Sequence, residues 1–223
     1  MSLLSTAMPR PFSARQRTAL LHRMLLIRHL TEREMVTLTS RHCPEADFHL
    51  GEEAVAVGVL SALGPADALV SADHLPLPRL DSQPVRQNRS ASACAVTACF
   101  VRAVGCDAEY LLDTHRREQL PVVLFRSASV PATANTWGRA PLIVADALDV
   151  EAILRMTRLI LQAARTGAGP RRLGLRTAGL PDLDDPVNVL VTRMHADHQL
   201  DDNALQAIDA DAASRAKTWS TLR

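Results

Sequence analysis

From Cys94 onward, short apolar runs alternate with segments of helical periodicity, and this alternation limits the fold more than any other feature of the chain. Cys94 to Val101, Pro121 to Phe125, Pro141 to Ala145 and Leu173 to Thr177 each have the length and character of a buried strand. Between them stand a helix from Asp107 to Glu118, with Leu111, Leu112 and His115 on one side, and a long helix capped by Asp149. The latter carries Val150, Ile153, Leu154, Ile160, Leu161 and Ala164 and stops at Gly167. Strands separated by helices cannot be joined as hairpins. The expected fold class is therefore α/β, a doubly wound parallel sheet with flanking helices.

The N-terminal part is read separately. Residues 1–12 contain Met8, Pro9 and Pro11 without periodicity and are expected to be a loose tail, leaving 13–223 as a single domain. Ser13 and Gln16 have capping-box spacing, and Leu20, Met24, Ile27, Leu30, Met35 and Leu38 then recur at helical intervals to an end near Arg41. Glu52 to Leu63 predicts a second helix, apolar almost all round and closed by Gly64-Pro65. Ala68 to Ser71 suits a short buried strand, and Leu75 to Ser92, with Pro76, Pro78 and Pro84, an extended connection. Asp201 starts a final helix through Leu205, Ile208 and Ala212.

Charge excludes some functions. Lys+Arg 25 against Asp+Glu 24 gives a net charge of +1, without the clustered basic excess of a nucleic-acid binder. Lys217 is the only lysine, a bias read as compositional rather than as a phosphate-binding design. Apolar stretches are too short or too interrupted to cross a bilayer, so no membrane role is expected. Cys43, Cys94, Cys99 and Cys106 lack zinc-site spacing and no secretory segment is visible, so the expected compartment is the cytoplasm.

Two segments near the N-terminus carry a family likeness: M-L-L-I-R-H-L-T-E-R-E from Met24 and H-L-G-E-E-A-V-A-V-G from His49. They resemble the alpha subunit of the thiamine-diphosphate-dependent component of 2-oxo acid dehydrogenases of the pyruvate, branched-chain and acetoin types. The likeness continues in order. Val96 to Phe100 looks like the family strand that runs into G-D-G, and Leu120 to Phe125 like the strand ending at N-N. Val144 to Val150 resembles V-D-G-x-D-V, keeping Asp146 and Asp149, and Thr166 to Pro170 with Leu173 to Thr177 resembles the G-x-G-P strand entry. Gln199 to Asp209 looks like the closing helix. The resemblance implies a reduced thiamine-diphosphate-binding fold, thiamine diphosphate and magnesium as cofactors, and a beta-like partner subunit in a heterodimer or heterotetramer.

The departures fall where the chemistry would be. The family's Tyr-Arg aligns with Ser71-Ala72, its G-D-G with Val101-Arg102-Ala103-Val104-Gly105, and its N-N with Arg126-Ser127-Ala128-Ser129. The family's G-H-S aligns near Leu180-Pro181-Asp182, without the histidine, and the chain is shortened mainly between Leu80 and Val96. Magnesium requires converging oxygen ligands, which valine and alanine side chains do not supply. The expectation is a degenerate alpha-like subunit that scaffolds or regulates a beta-like partner. The alternatives are the active half of a heteromeric thiamine-dependent enzyme with a rebuilt diphosphate site, and a homo-oligomeric small-ligand binder. Activity, if present, would need the beta-like subunit.

Individual candidates are few. His74, after Asp73, matches a histidine near the family's cofactor pocket and is the one catalytic candidate, although Leu75 and Pro76 follow it instead of a glycine-rich turn. Arg102 and Arg126 stand near strand ends, where ligands of open α/β sheets gather, and are candidate anion binders. His49 beside Glu52 and Glu53 reads more simply as a helix start whose carboxylates complement the dipole. His195 and His198, with Asp197 and Asp201, have metal-like spacing but no third ligand, so no metal site is assigned. Asp182, Asp184 and Asp185 read as a solvated acidic turn, and the faces of Glu52–Leu63 and Asp149–Arg165 as surfaces suited to a partner.

Overall fold

The computed structural model describes residues 11–37, 51–71, 95–101, 122–128, 142–167, 171–176 and 185–221. Within them the elements are α1 (Ala14–Thr37), α2 (Glu53–Leu60), β1 (Ala68–Ser71), β2 (Thr97–Val101), β3 (Val122–Ala128), β4 (Leu142–Asp146), α3 (Val150–Arg165), β5 (Arg171–Arg176), α4 (Pro186–Ala196) and α5 (Asp202–Thr221). The described strands form one five-stranded sheet in the order β1-β2-β3-β5-β4, with every neighbouring pair parallel. The helix expected over Asp107–Glu118 and the connection from Leu75 to Ser92 lie outside the described residues.

Alternation along the strands divides the sheet into two faces. Ala98, Ile143, Ala145, Leu173 and Leu175 share one face through the registers Ile143↔Leu173 and Ala145↔Leu175, and they belong to the hydrophobic core or pack against it. Leu173 and Leu175 are fully buried there. Helix α3 covers this face, touching β3, β4 and β5, and α2 packs on α3 from outside. Helix α1 then spans α2, α4 and α5. The apolar faces of α2 and α3, expected to suit a partner, are thus largely consumed within the chain: Ala54 to Val59, Ile153, Leu154, Ile160 and Leu161 are buried. Leu159 and Trp219 are the large apolar side chains left exposed among the described residues.

Local sequence explains the helix ends. Ser13 and Gln16 form the reciprocal capping box: the Ser13 N–H donates to Gln16 Oε1 at 2.9 Å and the Gln16 N–H to Ser13 Oγ at 3.3 Å. Asp149 accepts from the Glu151 and Ala152 N–H groups, and α3 ends before Gly167, whose φ of +79° is the left-handed conformation a glycine supplies without strain. Asp201 accepts from Ala204 N–H at 2.7 Å and starts α5.

Three expectations need correction. The loose tail does not extend through residue 12, because Phe12 is buried with the Arg155 guanidinium 4.6 Å from its ring centroid. Helix α2 ends at Leu60 rather than Leu63; Gly64 lies beyond it, its N–H held at 2.7 Å by the Asp67 carboxylate in the turn before β1. Helix α4 was not anticipated, although Asp185 caps it and Pro186 occupies its first turn, where a missing N–H costs nothing.

Helix α5 runs antiparallel to α1. His22 Nε2 lies 2.8 Å from Asp211 and His29 Nε2 lies 2.8 Å from Asp209, so later positions on one helix meet earlier ones on the other. Ala212 and Ala216, both fully buried, let the two backbones approach.

The α2–α3 crossing is closest at Gly58, where an added Cβ would lie 2.7 Å from Ile153 Cγ2 and 2.9 Å from Ile153 Cβ. Urea denaturation is expected to show Gly58→Val destabilised by about 1–3 kcal/mol through overpacking. Combining Gly58→Ala with Ile153→Ala should cost less than the two single substitutions added together.

Candidate functional site

Two regions have to be weighed: the sheet's carboxyl edge, where sequence reasoning places a ligand, and a set of buried charges that sequence reasoning did not find.

Strands β2 and β3 lie abreast, with Phe100 opposite Phe125 and Val101 opposite Arg126. Arg126 is in turn opposite Gly174 of β5. The two segments that depart from the resembled family's G-D-G and N-N therefore begin on neighbouring strands at the same level. Arg102 and His74 lie outside the described residues, as do His49, Asp73, Asp182 and Asp184, so of the candidates His74, Arg102 and Arg126 only Arg126 has a described backbone.

Among the described residues, the strand ends do not bring together a set of oxygen donors for a magnesium diphosphate. The last residues of the described strands are Ser71, Val101, Ala128, Asp146 and Arg176. Only Asp146 is a carboxylate, and its Oδ1 accepts the Leu148 N–H at 2.9 Å. Strand β4 is separated from β2 by β5 and β3, which at the usual strand spacing puts Asp146 about 14 Å from β2. No group of three metal-ligating side chains occurs among the described residues.

The buried charges join the helices. Glu151, in the first turn of α3, takes Arg17 Nε of α1 at 2.6 Å and Arg193 Nη1 of α4 at 2.8 Å. Arg17 also holds Asp197 and donates to Gln199 at 3.1 Å, while Arg193 reaches both oxygens of Asp149 at 3.1 and 2.9 Å. A second group forms around Arg28 of α1, which donates to Glu53 at 2.9 Å and to both oxygens of Asp185. Arg165 pairs with the nearly buried Asp67, whose Oδ1 accepts the Val96 N–H ahead of β2.

These contacts revise several readings. Glu53 is buried and bound to Arg28 and the Gly51 N–H, so it does more than complement a helix dipole. Asp185 is a helix cap clasped by Arg28 rather than a solvated turn residue. Asp197 and Asp201, set beside His195 and His198 as possible ligands, are engaged by Arg17 and by the start of α5. His195 Nε2 instead lies 3.8 Å from Asp202, and His198 takes a φ of +54° at the turn between α4 and α5. The sequence signal for the network was slight: Arg17 and Arg28 recur eleven positions apart on α1, but charge spacing alone names no partner.

Electrostatics follow from the pairing. Burial by itself would raise the Asp149 carboxyl, but hydrogen bonds from Arg193 and from the Ala152 and Glu151 N–H groups hold it below the ordinary range. Asp185 is likewise lowered: burial opposes, and Arg28 with the Val187 and Asn188 N–H groups prevails. The hydrogen bond from Arg193 to Asp149 raises the arginine. Within this network the arginines meet carboxylates, so its chemistry is cohesion between helices.

Compared with known proteins, the sequence matches no family model and no curated protein. Among the described residues no helix is long and apolar enough to cross a membrane.

Both aspartates have folded pKa values below their unfolded value of about 3.9. Their stabilisation is complete above that value and lost as pH falls through the depressed ones. Urea unfolding measured between pH 7 and pH 2 should therefore show stability falling on the acid side, with a shallower fall in Asp149→Asn. Glu151→Ala leaves two arginines short of a buried anion and is expected to cost about 3 kcal/mol or more at neutral pH.

Proposed function

We propose that the chain is a degenerate alpha-like subunit of a thiamine-diphosphate-dependent 2-oxo acid dehydrogenase-type assembly, folded as a reduced α/β domain of that kind. Its role is to scaffold or regulate a beta-like partner, with little cofactor chemistry of its own. The reading rests on the colinear order of the family-like segments. The observation that carries it furthest is the Val101↔Arg126 register. It sets abreast the two residues with which the segments that depart from the family's G-D-G and N-N begin, which supports reading the departures as one local change.

The residues there favour a structural over a catalytic role. An aspartate-glycine and an asparagine pair offer oxygens and close backbone approach to a metal-bound diphosphate; a β-branched valine and a cationic arginine offer neither. A partner would have to use surfaces other than the packed faces of α2 and α3, with Leu159 on α3 and Trp219 near the end of α5 as exposed apolar positions. Obligate subunit contacts of this kind bury large, core-like areas.

Co-expression with a beta-like dehydrogenase subunit, followed by size-exclusion chromatography and calorimetric titration with thiamine diphosphate and magnesium, tests the proposal. The expected outcome is a stable heteromer to which this chain adds no magnesium-dependent cofactor binding. A chain that stays monomeric beside the partner refutes the subunit role, and tight magnesium-dependent binding removed by substitutions in this chain refutes the degeneracy.

A further inference from the structure

Helix α5 is tied down by a different kind of charge from the rest of the helical layer. Arginines clasp α1 to α3 through Glu151, and to the starts of α2 and α4 through Glu53 and Asp185. The ion pairs described between α5 and its neighbours use histidine instead. His22 and His29 of α1 place Nε2 2.8 Å from Asp211 and Asp209, and His195 of α4 lies 3.8 Å from Asp202. A guanidinium stays charged throughout the neutral range, whereas histidines gain or lose their charge between about pH 5 and 8. The apolar hold on α5 is slight. Among its described side chains Ala212 and Ala216 are the buried ones, with Leu205 and Ile208 partly covered. A helix held by so little apolar surface opens locally at lower cost than a core element.

We infer that α5 is a pH-sensitive latch, closed on α1 below about pH 6 and loosened above about pH 7.5. With the imidazoles protonated, each faces a carboxylate of α5 and attracts it. As pH rises those positive charges are lost, and the hydrogen bond that remains is weaker without them. The two α1 histidines are 21% and 25% exposed, so water screens their pairs less than at an open surface. The surrounding charges keep the same sign of response. His29 Nδ1 also has Glu32 of its own helix at 3.7 Å, and Arg215 of α5 shares Asp211 Oδ2 at 2.9 Å. Neutral histidines therefore leave Asp209, Asp211 and Glu32 with Arg215 as the one cation of that group. Other charges on the facing elements are committed elsewhere. Arg23 donates to Ser61 after α2, Arg28 is held by Glu53 and Asp185, and Arg193 of α4 by Asp149 and Glu151. In the turn before α5, Asp197 is held by Arg17 and Asp201 caps the helix. Arg33 and Lys217 have partners of their own, and Arg15 is exposed two turns before His22. The inference rests on the seam between α1 and α5 and does not depend on the subunit reading.

The test is amide hydrogen exchange of the full chain, followed by mass spectrometry at about pH 5.5 and about pH 8, with rates corrected for intrinsic exchange. Protection of α5 relative to α3 is expected to fall about fivefold at the higher pH, the combined effect of two or three partly exposed pairs. The ratio to α3 separates opening of the latch from a change in global stability, which would lower protection in both helices. A variant carrying His22→Gln and His29→Gln keeps a hydrogen-bond donor at each position and should lose most of the pH response. A second variant, Asp209→Asn with Asp211→Asn, removes the other half of both pairs and should flatten the profile too. It keeps the test decisive if the histidine variant fails to fold. Equal relative protection of the wild-type chain at both pH values overturns the latch, as does a pH response that survives in the folded variants.

Discussion

Glu151 sits almost wholly out of water at the start of α3, held by an arginine from α1 and another from α4. A buried carboxylate is costly unless it is paired and hydrogen-bonded, and here both conditions are met by groups from distant parts of the sequence. The pairing fixes where three helices meet. Because α3 also lies on β3, β4 and β5, the same contact settles how the helical layer sits on the sheet. The second clasp, Arg28 between Glu53 and Asp185, repeats the arrangement at the start of α2 and of α4. Each of these carboxylates is at or beside a helix N-terminus, so cap and ion pair reinforce one another.

That division of labour separates the two faces of the sheet. One face, through Ala98, Ile143, Leu173 and Leu175, is an ordinary apolar floor for α3. The other carries Arg126, Arg172 and Arg176 around Gly174.

The resemblance to dehydrogenase alpha subunits stays a proposal built on motif order, and the sheet register bears on it through position. The altered segments start abreast, at Val101 of β2 and Arg126 of β3, and the described strand ends lack converging oxygen donors. The helical faces that looked suited to a partner are filled from within, because α2 needs α3 and α1 to cover residues that are apolar almost all round.

Local chemistry was legible in the sequence. The Ser13–Gln16 box, the Asp149 and Asp201 caps, the glycine stop at Gly167 and the apolar cores of the strand segments all depend on residues a few positions apart, and such signals survive in a linear reading. Even Asp185-Pro186 has the form of a helix start, although the acidic run before it reads as a turn. Tertiary structure alone decided which strands are neighbours, and therefore that Arg126 shares a face with Arg172 and Arg176. It also chose Arg17 and Arg193 as partners for Glu151, across 134 positions in the case of Arg17. The reason is range: a cap or a turn is set by bonds spanning one helical turn, whereas an ion pair or a strand register exists only after the chain has closed long loops. Nothing in the spacing of arginines along the chain records which carboxylate each will meet.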